Sequence, residues 1–206
     1  MIKCYRSKNE IGMPTDEDMT LINKHTLKAL TKDERRNFFQ SKYDYYKQFN
    51  NRIDTCYITD QGDMIFSRIG ELNSQEEAQK FVDDNHVRFS VSFGPILVDN
   101  GQRVEPERYH LGEIDENYAR AGLGQLGQRH YLLATANTGD GYRNVPDIHQ
   151  FANNMHKAGC IKAYALDGGQ TAVIAMNDQL INKVVYGYQR KISDIIYFAT
   201  AVPETP

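Results

Sequence analysis

The sequence predicts an α+β fold: a mixed, mainly antiparallel sheet with a few packed helices, preceded by a helical N-terminal extension. Three observations carry that expectation. From residue 54 onward, short apolar runs alternate with Gly- and Asp-containing turns at hairpin spacing. Helical periodicity in that region is confined to a few stretches. Charge divides unevenly as well, with 11 Lys+Arg against 8 Asp+Glu in residues 1–54 and 13 against 19 in the remainder. The chain therefore reads as a helical segment, 1–53, for docking or assembly, followed by an α+β domain, 54–206.

Each element has a local reason. Thr15 precedes Asp16-Glu17-Asp18, an N-cap with acids in the first turn, and Met19, Ile22, Leu27 and Leu30 follow at rough helical spacing. Thr31 to Glu34 fits a capping box, and Phe38, Phe39, Tyr45, Tyr46 and Phe49 then share one broad face. Thr55–Thr59 and Met64–Ile69 read as strands around the loop Asp60-Gln61-Gly62-Asp63. Ser74 to Glu77 is a second capping box, opening a helix with Ala78, Phe81 and Val82 inward. Strands are expected at Val87–Ser92 and Ile96–Val98, the latter ending at the turn signal Asp99-Asn100-Gly101. Arg129–Ala136 is another strand. Pro146–Lys157 is the clearest helix, with Pro in its first turn, Ile148, Phe151, Ala152 and Met155 on one face, and Gly159 as terminator. Further strands are expected at Ile161–Leu166, Thr171–Met176 and Ile192–Ala199.

Composition narrows the function. The 206 residues carry 24 Lys+Arg and 27 Asp+Glu, a formal net charge of −3, which removes the basic excess expected of a nucleic-acid binder. No apolar run approaches the roughly 18–20 residues of a membrane span. The N-terminus has charge but no apolar stretch behind it, so no signal peptide is read, and three placements stay open: cytoplasm, virion, or part of a longer exported polypeptide. Cys4, Cys56 and Cys160 are odd in number and far apart, which fits free thiols. The six histidines form no metal signature; His149 and His156 are seven apart rather than four. No cofactor is expected, and the sequence does not decide on a divalent cation.

Gly122-Leu123-Gly124-Gln125-Leu126-Gly127 matches the dinucleotide fingerprint in letters only. The next segment reads as a strand rather than a helix, so a Gly-rich bend between two strands is the better account. The segment Ala165-Leu166-Asp167-Gly168-Gly169-Gln170-Thr171-Ala172 is more informative. It sets a carboxylate at the end of an apolar strand, followed by two glycines and two short polar side chains. Such a loop either aims backbone N–H groups at an anion beside an acid/base carboxylate, or is a tight turn with an Asx hydrogen bond.

Five ordered motifs weigh on that choice: Ser92 to Gly101, Arg120 to Gln125, the helix end Ala158-Gly159-Cys160, Leu166 to Gly169, and Arg190 to Phe198. In order and spacing they resemble the phosphodiester glycosidase family over about residues 54–202. Arg120 matches the Arg of the family's Arg-Thr-Ala-(Ile/Leu)-Gly motif, and Asp167, Gly168 and Gly169 match its Leu-Asp-Gly-Gly-Gly-Ser loop. Arg190, Ser193 and Asp194 match its Glu-Arg-x-(Val/Ile)-Ser-(Asp/Asn) segment. Gln170 replaces the third glycine, Thr171-Ala172 the Ser-containing pair, and Ala121-Gly122 the Thr-Ala after the arginine, while Gln189 replaces the Glu before Arg190. The family's N-terminal Asn-Gly-x-(Phe/Tyr)-(Phe/Tyr) motif has no counterpart before Ser92.

The resemblance implies hydrolysis of a sugar-1-phosphodiester such as a GlcNAc-1-phosphodiester, with release of the free sugar. In that reading Asp167, Arg120 and Asp194 are catalytic. Gly168, Gly169, Gln170, Thr171, Arg190, Ser193 and Gln125 bind substrate, and Glu113 and Glu116 are further candidates for a second carboxylate. Tyr131, Tyr142, Tyr164 and Tyr188 lie near the motifs, where they either stack on a sugar or pack. The ligand is then a carbohydrate or sugar phosphate. A homo-oligomer or partner chain is expected through residues 1–50. The alternative is a non-catalytic structural or carbohydrate-binding component of a phage virion or other assembly that keeps the fold.

Overall fold

The computed structural model describes residues 2–5, 54–105, 116–138, 144–192 and 194–198. The helices expected over 15–49, and Ser193, Glu113 and Tyr142, lie outside the described residues. The chain divides into two units, Asn50–Arg190 and Met1–Phe49 together with Lys191–Pro206.

The elements run β1 (Ile2–Tyr5), β2 (Thr55–Thr59), β3 (Met64–Ser67), α1 (Gln75–Asp84), β4 (Val87–Ser92), β5 (Ile96–Asp99) and β6 (Gln102–Arg103). Then follow β7 (Arg120–Gly127), β8 (His130–Ala136), α2 (Ile148–Lys157), β9 (Lys162–Leu166), β10 (Ala175–Met176), β11 (Gln179–Leu180) and β12 (Ile195–Phe198). Within the larger unit one sheet has the order β3-β2-β4 and a second has the order β6-β5-β9-β7-β8, and β10 and β11 form a short hairpin. Every described pairing is antiparallel. The α+β expectation holds.

Local chemistry explains the elements. Ser74 caps α1 by accepting from the Glu77 N–H at 3.1 Å, and Phe81 on that helix meets the Tyr57 ring at 4.9 Å between centroids. Asn100 and Gly101 both take left-handed backbone (φ 50 and 72) in the two-residue turn between β5 and β6, the twist that suits a hairpin. Asp147 caps α2 reciprocally: its side chain accepts from the Gln150 N–H at 2.7 Å while the Gln150 side chain accepts from the Asp147 N–H at 3.3 Å. Pro146 thus precedes the cap instead of sitting in the first turn. Ile148, Phe151, Ala152 and Met155 are all buried, packed on Leu97, Val98, Ala163 and Ala165 of the sheet. Full burial of each large side chain contributes roughly 1.5–3 kcal/mol.

Three expectations are corrected. The Gly-rich segment Gly122 to Gly127 is no bend; it is most of β7, paired on both sides. Its glycines are required by what lies above. A Cβ on Gly122 would stand 2.9 Å from the Phe151 ring, and one on Gly124 would stand 2.4 Å from the Cys160 sulfur. Second, Thr171–Met176 is not one strand. Gly169–Thr171 forms a 3₁₀ turn, and only Ala175–Met176 is extended and paired. Third, the last strand is shorter than Ile192–Ala199 and pairs with β1, a strand unforeseen in the first residues.

Buried polar groups join the two sheets. Gln125, 2% exposed, accepts from the Met64 N–H at 2.9 Å and donates to the Gly62 carbonyl at 3.1 Å. The Asp54 carboxylate accepts from the N–H groups of Ile69 (3.0 Å) and Ile96 (3.2 Å). Tyr164 donates its hydroxyl to the Asp54 carbonyl and accepts from the Phe93 N–H. Such bonds satisfy polar groups that packing between the sheets takes wholly or partly from water.

Candidate active site

β9 is an apolar strand between β5 and β7, and Asp167 follows its last residue. Leu166 pairs with Ala121 of β7, so one further step in register sets Asp167 across from Arg120. The carboxylate is about half exposed and forms an ion pair with the equally exposed guanidinium of Arg190. The structure thus brings together Asp167 and Arg190, which lie 23 positions apart.

The glycines after Asp167 are needed because the loop presses on the strand beside it. A Cβ on Gly168 would stand 2.2 Å from the Ala119 carbonyl oxygen, and one on Gly169, which has φ +61, would stand 3.0 Å from the Tyr118 ring. Gly169 donates its N–H to that same Ala119 carbonyl at 2.8 Å. The Thr171 hydroxyl and N–H both donate to the Gly168 carbonyl, at 2.6 and 3.1 Å. Below the turn, Ala172 packs with Ala119, Ala121 and Val185, and its carbonyl accepts from Asn137 (2.8 Å) and Asn182 (2.9 Å). Gln170 sits half-buried in the turn; its amide nitrogen is buried and has no hydrogen-bond partner among the described residues.

Arg120 is placed differently from Arg190. It is 9% exposed, donates to the Glu116 carbonyl at 2.6 Å, and lies over the Tyr118 ring with 5.8 Å to its centroid. Its guanidinium therefore holds the segment 116–119 against which the Asp167 loop is clamped. Gln125 stands at the other end of β7, five residues or about 17 Å away, with both ends of its amide bonded between the sheets. Asp194 is exposed and belongs to the other unit. Among the described residues, no group of three His, Cys, Asp or Glu side chains converges to hold a metal, and no helix is long and apolar enough to cross a membrane.

Sequence reasoning missed Tyr118 and Ala119. Ala119 acts through its backbone carbonyl and steric bulk, neither of which leaves a residue-type signal; the only trace was the paired glycines opposite. Asn137 and Asn182 also carried no pattern.

Comparison with known proteins bears on the family and the fold. The family model described as phosphodiester glycosidase matches residues 21–199, reaching further toward the N-terminus than the motifs alone. No curated protein matches the chain. The zebrafish N-acetylglucosamine-1-phosphodiester alpha-N-acetylglucosaminidase catalytic domain, auto-inhibited by its pro-peptide, superposes with a TM-score of 0.51 at 17% identity. That match covers 70% of this chain and 51% of the zebrafish one. A hypothetical protein from Synechocystis matches with a TM-score of 0.46 at 16% identity over 71% of this chain and 34% of its own. The chain thus spans about a third to a half of the length of these structures. On the extent of the family match, the chain belongs to the phosphodiester glycosidase family.

Proposed function

We propose that this chain hydrolyses a sugar-1-phosphodiester, releasing the free sugar and leaving a phosphomonoester on the carrier. The observation that carries the reading is the exposed Asp167–Arg190 pair at the end of β9, within the motif order of the family. A GlcNAc-1-phosphodiester is the substrate we assign, by analogy with the named activity of the zebrafish relative.

Arg190 is the cation we assign to the phosphate. Its planar fork suits two phosphate oxygens at once, and it is open to solvent where Arg120 is not. Taking up the phosphate would release the Asp167 carboxylate toward the anomeric carbon, where it activates water or stabilises an oxocarbenium-like centre. Arg120 acts as a positioning residue by fixing the 116–119 segment. Gly168 and Gly169 allow the close approach, and Thr171 closes the turn with its hydroxyl. Gln170 we assign to shaping the turn beneath the substrate, since its amide nitrogen is buried. Residues 1–53 we assign to docking or assembly.

The experiment is release of free sugar from the methyl diester of N-acetylglucosamine 1-phosphate. Asp167→Asn should lose at least about 100-fold in rate. Arg190→Ala should lose kcat/KM about tenfold or more. A folded parent protein that releases no sugar, or an Asp167→Asn variant as active as the parent, would overturn the reading.

A further inference from the structure

We propose that a second copy of this chain pairs with β8 across a two-fold axis, joining two five-stranded sheets into one; this goes beyond the hydrolysis proposed above and does not depend on it. β8 is the outer strand of its sheet, and among the described residues it pairs with β7 alone. Which of its backbone groups turn outward follows from the strands beside it. Ala165 donates its N–H to the Pro95 carbonyl (2.9 Å) and accepts from the Gly94 N–H (3.2 Å), so its backbone turns to the β5 side. Backbone groups alternate sides along a strand, so Tyr164 and Leu166 turn to β7, where they meet Leu123 and Ala121. Gly122 and Gly124 then turn to β8, opposite Ala134 and Leu132. That leaves the N–H and C=O groups of Leu133 and Thr135 pointing away from the sheet, with no hydrogen-bond partner among the described residues.

An open sheet edge invites another strand, and proteins that must stay apart blunt it with charge, proline, a bulge or brevity. Other edges of this unit carry such devices: β6 has two residues and includes Arg103, β3 has four, and β4 carries Arg88. β8 runs for seven residues, His130 to Ala136, without Asp, Glu, Lys, Arg or Pro. Its one register shift lies at the far end, opposite Gln125 and Gly127 of β7. The occupant that suits this edge is the edge itself. Antiparallel pairing that sets Leu133 of one copy opposite Thr135 of the other, and the reverse, satisfies every outward group of both residues reciprocally. The same register places Ala134 opposite Ala134 at the two-fold, in the closely spaced non-hydrogen-bonded position. Leu132 then stands opposite Ala136, so a large side chain meets a small one on the face that packs toward α2. Two copies of a chain with net charge −3 repel, but neither paired strand contributes an acidic or basic charge at the seam. The contact is isologous and closes at two copies.

The test is the molar mass of the full chain by light scattering, together with hydrogen exchange at single amides by NMR. The parent should have the mass of two chains. Its Leu133 and Thr135 amides should exchange at least about 100-fold more slowly than in a sample diluted to monomer. Thr135→Pro removes an outward N–H and no bond to β7, so it should stay folded by circular dichroism and become monomeric. Thr135→Val keeps the N–H and should dimerise with an affinity within about threefold of the parent. A monomeric parent overturns the proposal. So does a dimer in which Leu133 and Thr135 exchange as fast as in the diluted sample, which puts the interface elsewhere, or a dimer that survives Thr135→Pro. If Thr135→Pro does not fold, the exchange of these two amides in the parent decides alone. Sugar release by the monomeric variant reports only on the proposed function, and neither its loss nor its retention bears on the pairing.

Discussion

Gly168→Ala is the sharpest test of how the Asp167 loop is held. The new Cβ would stand 2.2 Å from the Ala119 carbonyl oxygen, where real contacts do not fall below 3.0 Å. Gly168 has φ −109, outside the left-handed region, so the close approach and not a positive φ is what demands glycine here. The opposing atom belongs to the main chain: Ala119 is fully buried, its carbonyl accepts from Gly169, and Arg120 after it is tied to Glu116. The strand cannot yield as a side chain would. Overpacking of this kind costs about 1–3 kcal/mol, and losing the Gly169 bond adds about 1 kcal/mol. A destabilisation of about 2–4 kcal/mol is therefore expected, measured as a shift in urea midpoint at unchanged slope. Sugar release should also fall, because Asp167 is displaced from Arg190. A variant within about 0.5 kcal/mol of the parent and fully active would refute the clamp.

Two further predictions concern the glycines and thiols. Gly124→Ala should cost about 1–3 kcal/mol through the clash with the Cys160 sulfur at 2.4 Å. In a Cys160→Ala background the penalty should shrink to that of the milder Met155 contact at 3.1 Å, and equal penalties in both backgrounds would discard the explanation. Burial pushes the Cys160 thiol up, so little thiolate is present near neutral pH. Peptide mapping after reaction with a thiol reagent at pH 8 should show Cys160 labelled at least about 100-fold faster in urea than in the native protein; equal rates would contradict its burial.

The parts legible in the sequence were those whose cause is local. The four buried residues of α2 follow a helical repeat, Ser74 caps the Glu77 N–H within one turn although the Glu77 carboxylate returns to the Asn73 N–H, and Asn100-Gly101 encodes its own hairpin. Asp167 was legible because it ends an apolar run ahead of two glycines. The failures depend on partners far along the chain. Gly122 and Gly124 look like a bend until Phe151 and Cys160 are laid across them, and then glycine is what a strand beneath a helix requires. β12 needed β1, a four-residue strand with no apolar periodicity of its own. Arg120 and Arg190 are indistinguishable by residue type. One is buried over Tyr118 and the other stands open beside Asp167, and only tertiary packing tells them apart.

The amide of Gln125 narrows what position 125 can hold. One end must accept from an N–H and the other must donate to a carbonyl, and they must do so across the gap between two sheets. Glutamate has the length but would set a second acceptor against the Gly62 carbonyl. Asparagine has the right polarity but is one methylene short, and a hydrophobic residue would leave the buried Met64 N–H without its acceptor and the Gly62 carbonyl with the Tyr131 hydroxyl alone. The position thus works as a checksum on the fold, accepting one side chain of the twenty and only when both sheets are correctly aligned.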